Sequence, residues 1–512
     1  MANQEQFIQQ ITQGYTFNGP AIILGTAILD GKPIPNCLVK APLKTMNRHG
    51  LIAGATGTGK TKTIQFFSEQ LAQNGVSVLM MDIKGDFSGI AEPGASNPKI
   101  EERAKTIGIQ WKPQQFPVEI MTISTQDGVR LRATVSEFGP VLISKILGLN
   151  DTQEGVIATI FKYCDDNGYL LVDLSDLKKV LLFAANEGKE EIQKDYGQIS
   201  PATIGTIQRK VVELESQGAD LFFGEKSFEV SDLLRKDENG FGYINVVRLT
   251  DIQDKPKLFS TFMLSLLAEV YAKFPERGDQ DQPELVLFID EAHLVFEEAT
   301  KALLDQLEAI VKLIRSKGVG LYFCTQNPND IPQDILAQLG MKVQHALRAF
   351  TAKDRQAIKL VAENYPTTEN YQVDEVITQM GIGEAFVTAL NEKGIPTPLV
   401  HTLMMPPSSR MDILAEAEIS ALISKSALYK KYKEKVDPES AYEMLSKKID
   451  QLQQEKTGTQ EVKQTTIRKT SGRQEKSTLE KVLTSTTTRQ IARTATREVA
   501  RGLLGALKGI FK

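Results

Sequence analysis

Eight residues, Gly54-Ala-Thr-Gly-Thr-Gly-Lys-Thr61, constrain the fold of this chain more than any other stretch. They fit the spacing G-x-x-x-x-G-K-[ST] at every fixed position, directly after the apolar run Leu51-Ile-Ala and before a helical pattern from Thr61 to Asn74. Glycines at those positions let the backbone wrap an anion without Cβ clashes, and consecutive N–H groups at a helix start present positive potential to it. The spacing therefore predicts a strand–loop–helix cradle for a phosphate chain. It comprises Gly54, Ala55, Thr56, Gly57, Thr58, Gly59, Lys60, Thr61 and Lys62, with Lys60 reaching the β- and γ-phosphates and the Thr61 hydroxyl ligating Mg²⁺. A Gly-rich turn that binds nothing is the plainer alternative; the flanking strand and helix argue against it.

Cleaving a phosphoanhydride also needs a carboxylate for the metal and a group to position water. Leu285-Val-Leu-Phe-Ile-Asp290-Glu291-Ala-His293 offers both at the end of a buried strand, with Asp290 as the Mg²⁺ acid and Glu291 orienting the attacking water. The plainer alternative is a solvated acidic strand terminus with His293 merely capping a helix. Asp82-Ile-Lys84-Gly-Asp86-Phe ends the strand after the cradle helix. There Asp86 is a candidate for the metal or water network, against a reading in which Asp82 simply accepts backbone donors in a turn. Gln326, in Thr325-Gln-Asn-Pro328, ends another strand and is a candidate sensor of the γ-phosphate or the lytic water. Arg315, Arg348 and Arg355 are candidates for neutralising transition-state charge. Arg348 is favoured at a strand end, and Arg315 is equally placed to offset a helix dipole.

Strands and helices alternate around these motifs, which predicts an α/β fold with a mainly parallel sheet. A short β element over residues 1–45 carries the hairpin signal Asp30-Gly31. The core starts at 46–140, is interrupted by an α-helical insertion at 141–220, and resumes at 221–405. A helical segment follows at 406–455, and a polar linker with a basic amphipathic tail at 456–512. Between Lys463 and Lys512 twelve Lys/Arg stand against three Glu, +9, which leaves −13 for the rest of a chain whose net charge is −4. A uniformly basic nucleic-acid wrapper is thereby excluded and a polarised molecule indicated. Cys37, Cys164 and Cys324 form no CxxC pair, pointing to a reducing compartment. The N-terminus lacks a signal-peptide pattern and no run of eighteen apolar residues occurs, so the expected location is cytoplasmic.

The motifs and their order resemble the HerA/FtsK-type P-loop ATPases, most closely the bacterial YjgR-like family of HerA-like proteins. The resemblance is carried by Gly54–Thr61, Asp82-Ile-Lys-Gly-Asp-Phe-Ser-Gly89 and Phe288-Ile-Asp-Glu-Ala-His293. Arg315-Ser-Lys-Gly-Val-Gly320, Thr325-Gln-Asn-Pro328 and Gln344-His-Ala-Leu-Arg-Ala-Phe-Thr351 extend it, so that it spans roughly residues 15–405, plus the tail. It implies a RecA-like ASCE core, ATP and Mg²⁺ as ligands, and a homo-hexameric ring. In such a ring one subunit's arginine meets the neighbour's γ-phosphate, and double-stranded DNA is the track. Only a short β element precedes Leu51, where HerA proper has a larger barrel that meets a nuclease, which counts against a nuclease partner.

Two other functions fit parts of the chain. Val499–Phe511, amphipathic with basic flanks, suits an ATPase acting on protein or at a membrane surface. A small-molecule kinase shares the phosphate loop, but the Asp290–Glu291 pair and Gln326 favour water as the nucleophile.

Overall fold

The computed structural model describes residues 4–278, 280–297 and 301–465. The basic amphipathic tail expected at 489–512 lies outside the described residues. The chain divides into two units, one formed by the residues up to Leu131 with Phe228–Glu434, the other by Arg132–Ser227 with the described residues from Lys435 on.

The first unit is built on one sheet. In chain order its strands are β1 (Ala21–Leu29), β2 (Lys32–Pro42), β3 (Gly50–Ala53), β4 (Ser77–Asp82), β5 (Val118–Thr122), β6 (Val129–Arg130), β7 (Ile244–Arg248), β8 (Leu285–Ile289), β9 (Val319–Thr325), β10 (Met341–His345), β11 (Glu384–Thr388) and β12 (Val400–Met404). Their spatial order is β2-β1-β12-β11-β10-β3-β9-β8-β4-β7-β5-β6. From β10 to β6 every neighbouring pair is parallel, while β10–β11, β11–β12, β12–β1 and β1–β2 are antiparallel. The parallel block reads as near-continuous Val/Ile/Leu/Met/Phe because helices cover both faces: every residue of β3, β4, β8 and β9 is buried.

The Asp30-Gly31 hairpin forms as its residue types demand. Both residues take positive φ, 50° and 71°, and Leu29 pairs with Lys32. This β element is not a separate appendage. β1 joins the sheet through β12, with Gly25 opposite Met404, and a Cβ on Gly25 would lie 2.0 Å from the Leu403 carbonyl oxygen. Strand β9 lies between β3 and β8. The two main motifs therefore end on strands separated by one strand, and the residue after β9 falls between them.

The second unit is helical. Val135–Ile146, Asp151–Asn167 and Leu174–Ala185 each open on a capping box, at Thr134/Glu137, Asn150/Gln153 and Asp173/Asp176. Helix Ala441–Thr465 packs on Leu174–Ala185, and the buried Asp176 carboxylate accepts from Ser440 Oγ at 2.5 Å and Tyr442 N at 2.8 Å. The expected helical insertion at 141–220 falls within this unit. The segment expected as one piece at 406–455 is shared between the two units, and residues 456–465, expected as the start of a linker, continue a helix through Thr465. Among the described residues no helix is long and apolar enough to cross a membrane.

Candidate nucleotide site

The glycine loop joins β3 to helix Lys60–Gln73. Gly54, Gly57 and Gly59 take φ of 153°, 77° and 117°, which side-chain-bearing residues rarely adopt. A Cβ at Gly54 would lie 2.5 Å from His345 Cβ, and one at Gly59 would lie 3.2 Å from the Gly383 backbone, whereas Gly57 has open space around it. The loop is anchored at both sides and open at its crest. Gly54 N donates to Thr325 O at 3.3 Å, Ala55 N to Ala346 O at 2.8 Å, and Gly383 N to Thr58 O at 2.9 Å, while Thr56 and Gly57 are exposed.

Lys60 closes the loop on itself. Its ammonium donates to the carbonyl oxygens of Gly54 at 2.6 Å and Ala55 at 3.2 Å, and burial, followed by the Lys84 charge, lowers its pKa. Thr61, next on the helix, is half-buried. The Lys62 ammonium goes elsewhere, to Met411 O and to Gln65 Oε1. Three residues past Gly59 the helix has turned the Lys62 side chain to another neighbour, so its ammonium is not at the loop.

At the end of β8, Asp290 is buried, and its pKa is pushed up to about 7 by that burial and then by the Glu291 charge. Glu291 takes a φ of 45°. One of its oxygens pairs with Lys84, and the other, Oε2, is buried without a hydrogen bond. His293 Nδ1 stands 3.3 Å from that atom, within ion-pair distance, as the first residue of a short helix. Among the described residues no three His, Cys, Asp or Glu gather to hold a metal by themselves. A buried acid with a raised pKa beside a carboxylate oxygen that has no hydrogen bond fits Mg²⁺, which is usually held by one or two carboxylates together with substrate phosphates and water.

Gln326 follows β9 and lies 3.3 Å from Thr56 Oγ1 through its Oε1, so the candidate sensor is set against the glycine loop. The remaining candidates are engaged differently. The Asp82 carboxylate accepts Gly85 N at 2.8 Å, Asp86 N at 2.9 Å and Phe87 N at 3.3 Å, the turn reading of this motif. Asp86 is half-buried in that turn. Arg348 donates to Thr378 O at 2.8 Å and Met380 O at 3.4 Å, so within its own chain it caps helix Val373–Gln379. Arg355 is exposed on helix Ala352–Glu363. Arg315 precedes β9, at the opposite end of the strands from the glycine loop. Sequence reasoning missed Lys84, although it stands inside a motif already singled out, because its partner Glu291 is 207 positions away.

The sequence profile of the helicase HerA-like C-terminal family matches residues 29–512. This chain belongs to that family. Among HerA-like relatives, the DNA double-strand break repair helicase HerA of Sulfolobus acidocaldarius is 22% identical over 369 residues, 71% of this chain and 66% of that protein. The protein of the same name from Saccharolobus solfataricus is 23% identical over 358 residues, 69% of this chain and 64% of that one. The chain spans just under two thirds of the length of these HerA relatives. A solved structure of the bacterial conjugative coupling protein TrwBdeltaN70, in complex with sulphate, matches with a TM-score of 0.51 at 13% identity, covering 80% of this chain and 94% of that one. That likeness shows the fold, a RecA-like core shared with this HerA-like chain.

Proposed function

We propose that this chain is an ATP-hydrolysing motor of the HerA type that works as a homo-hexameric ring on double-stranded DNA. The observation that carries the reading is the convergence of three strand ends. The glycine loop with Lys60 comes after β3, Gln326 after β9, and Asp290 with Glu291 after β8. Loop amides and Lys60 would hold the triphosphate, Lys60 by giving up its carbonyl partners for phosphate oxygens. Thr61 and Asp290 would hold Mg²⁺, which when bound neutralises phosphate charge as a Lewis acid. Glu291 orients the attacking water and accepts its proton, and Gln326 reports on the terminal phosphate.

Arg315 is the residue assigned to the neighbour's γ-phosphate. Its exposed guanidinium has no hydrogen-bond or ion-pair partner among the described residues, whereas Arg348 is engaged by two carbonyls. Arg315 also lines a cleft of about 480 Å³ together with Arg48, Lys312 and Lys342, with no acid in its wall. A concentration of positive charge at the strand ends facing away from its own loop suits an anion held by another subunit.

The deciding experiment is ATP turnover by the full chain with and without duplex DNA at several salt concentrations. Stimulation by duplex that fades steeply as salt rises supports the reading. Turnover indifferent to DNA at low salt removes the DNA track and leaves an ATPase with another substrate.

A further inference from the structure

The motif Asp82-Ile-Lys-Gly-Asp86 is not used up by the roles assigned above. Its turn is fixed from several directions. Asp82 collects three backbone N–H groups, Gly85 takes a φ of 82°, and Gln253 Nε2 donates to Ile83 O at 2.8 Å. A turn held this firmly presents one side chain, Lys84, at the end of β4. Strand β4 lies directly beside β8, with Met81 opposite Ile289, so the Lys84 ammonium meets the Glu291 carboxylate.

The two partners differ in setting. The Glu291 side chain is 6% exposed and the Lys84 side chain 38%. A buried acid is therefore held by a cation that retains access to solvent. Burial works against the Lys84 charge, but the hydrogen bond and charge of Glu291, with Asp290 and Asp86, outweigh it and keep the ammonium above its ordinary range. The Lys84 charge is also felt at Lys60. Two ammonium groups, one after β3 and one after β4, thus act on the same site, each occupied by a protein acceptor: Lys60 by loop carbonyls, Lys84 by the acid assigned to water. A terminal phosphate, with more charge than a single carboxylate, is the stronger partner for such a cation.

Resting on the ATPase reading above, we propose that Lys84 is the γ-phosphate sensor of this site. Its ammonium moves from Glu291 to the terminal phosphate, so that Glu291 is released to the attacking water only when a triphosphate is bound. A diphosphate leaves the Lys84–Glu291 pair intact and the acid occupied. Lys84 accordingly adds nothing to the grip on ADP. As long as it is paired, it keeps Glu291 from water in an empty or ADP-filled site.

The test is binding of fluorescent ADP and of a fluorescent non-hydrolysable ATP analogue to the full-length wild type and to Lys84→Gln, Lys84→Arg and Glu291→Gln, with melting temperature as a folding control. Lys84→Gln is expected to lose roughly tenfold or more of the preference for triphosphate over diphosphate while ADP affinity stays within about twofold. Lys84→Arg should keep most of the preference. Glu291→Gln should increase it, because the cation no longer has a competing carboxylate. Equal preference in Lys84→Gln and wild type overturns the proposal, as does a parallel loss of both affinities. A wild type that binds and hydrolyses ATP with unaltered discrimination in Lys84→Gln sinks the sensor alone. A wild type that binds neither nucleotide sinks the ATPase reading as well.

Discussion

The Nε2 atom of His345 stands 2.9 Å from the hydroxyl of Thr63, and its Nδ1 lies 2.9 Å from the carbonyl oxygen of Glu384. A carbonyl can only accept, so the ring proton sits on Nδ1 and Nε2 accepts from Thr63. One neutral imidazole thereby joins the helix after the glycine loop to β10 and β11. His49 uses the opposite tautomer, with Nδ1 accepting from Leu321 N at 3.1 Å and Nε2 donating to Val311 O at 2.8 Å. Burial lowers the pKa of both rings to about 4.

The first prediction concerns pH. Both imidazoles have folded pKa values below the ordinary 6.5 of histidine, so the stability they contribute is complete above pH 6.5 and is lost as pH falls toward about 4. Each costs about 1.4 kcal/mol per pH unit across that window. In ¹⁵N-histidine spectra of the intact chain, His49 and His345 should keep opposite neutral tautomers down to about pH 5. Titration of either ring with a midpoint near 6.5 would contradict the assignment.

Two substitutions separate grip from cleavage. Lys60→Ala removes the cation of the cradle but, in the structure, only two bonds to loop carbonyls. Nucleotide binding and turnover should both disappear with the melting temperature nearly unchanged. Glu291→Gln keeps shape and removes the base, so nucleotide should still bind while turnover falls by about 10²-fold or more. Calorimetric titration beside a phosphate-release assay distinguishes the two, and substantial turnover by either variant removes the role given to that residue.

Gly54→Ala tests the loop's backbone demand. The new methyl would lie 2.5 Å from His345 Cβ at a φ of 153°. Strain and overlap of this kind cost about 1–3 kcal/mol. Urea unfolding should register that loss, and nucleotide affinity should drop because the shift falls on the cradle. Gly57→Ala, with a φ of 77° but open space, should retain more stability; equal losses at the two sites would mean that conformation rather than the His345 contact decides.

What the sequence discloses about this molecule follows the range of the interactions. The glycine loop is legible because its demands on φ, charge and helix start all fall within eight consecutive residues, and Asp290–Glu291 because a five-residue apolar strand points to them. Strand β5 is not. Its run Val118-Glu-Ile-Met-Thr carries a buried Glu119, neutralised at 2.8 Å by Arg235, which in turn lies over the Tyr243 ring. A charge in a buried strand breaks the apolar pattern, and its partner is 116 positions away. The attachment of the N-terminal hairpin to β12 is hidden for the same reason, since Gly25 meets Met404 only in the assembled sheet.

The last prediction concerns Arg315 and the ring. Its chain places it at the start of β9, while Lys60 and Glu291 lie at the other ends of the strands, so one chain cannot bring them together around one phosphate. If a neighbour supplies the arginine, Arg315→Ala alone should bind nucleotide normally and lose about 10³-fold in turnover. Lys60→Ala alone should bind none. Mixed and reassembled, the two inactive variants place some intact loops beside some intact arginines. Activity should then reappear, rising and falling with the mixing ratio. Arg348→Ala serves as the comparison: its guanidinium caps Val373–Gln379 within its own chain, so that variant should lose stability and should not complement Lys60→Ala in the same manner. Mixtures that stay inactive while native mass shows mixed rings, or an Arg315→Ala variant with full turnover, would take the arginine away from the shared site.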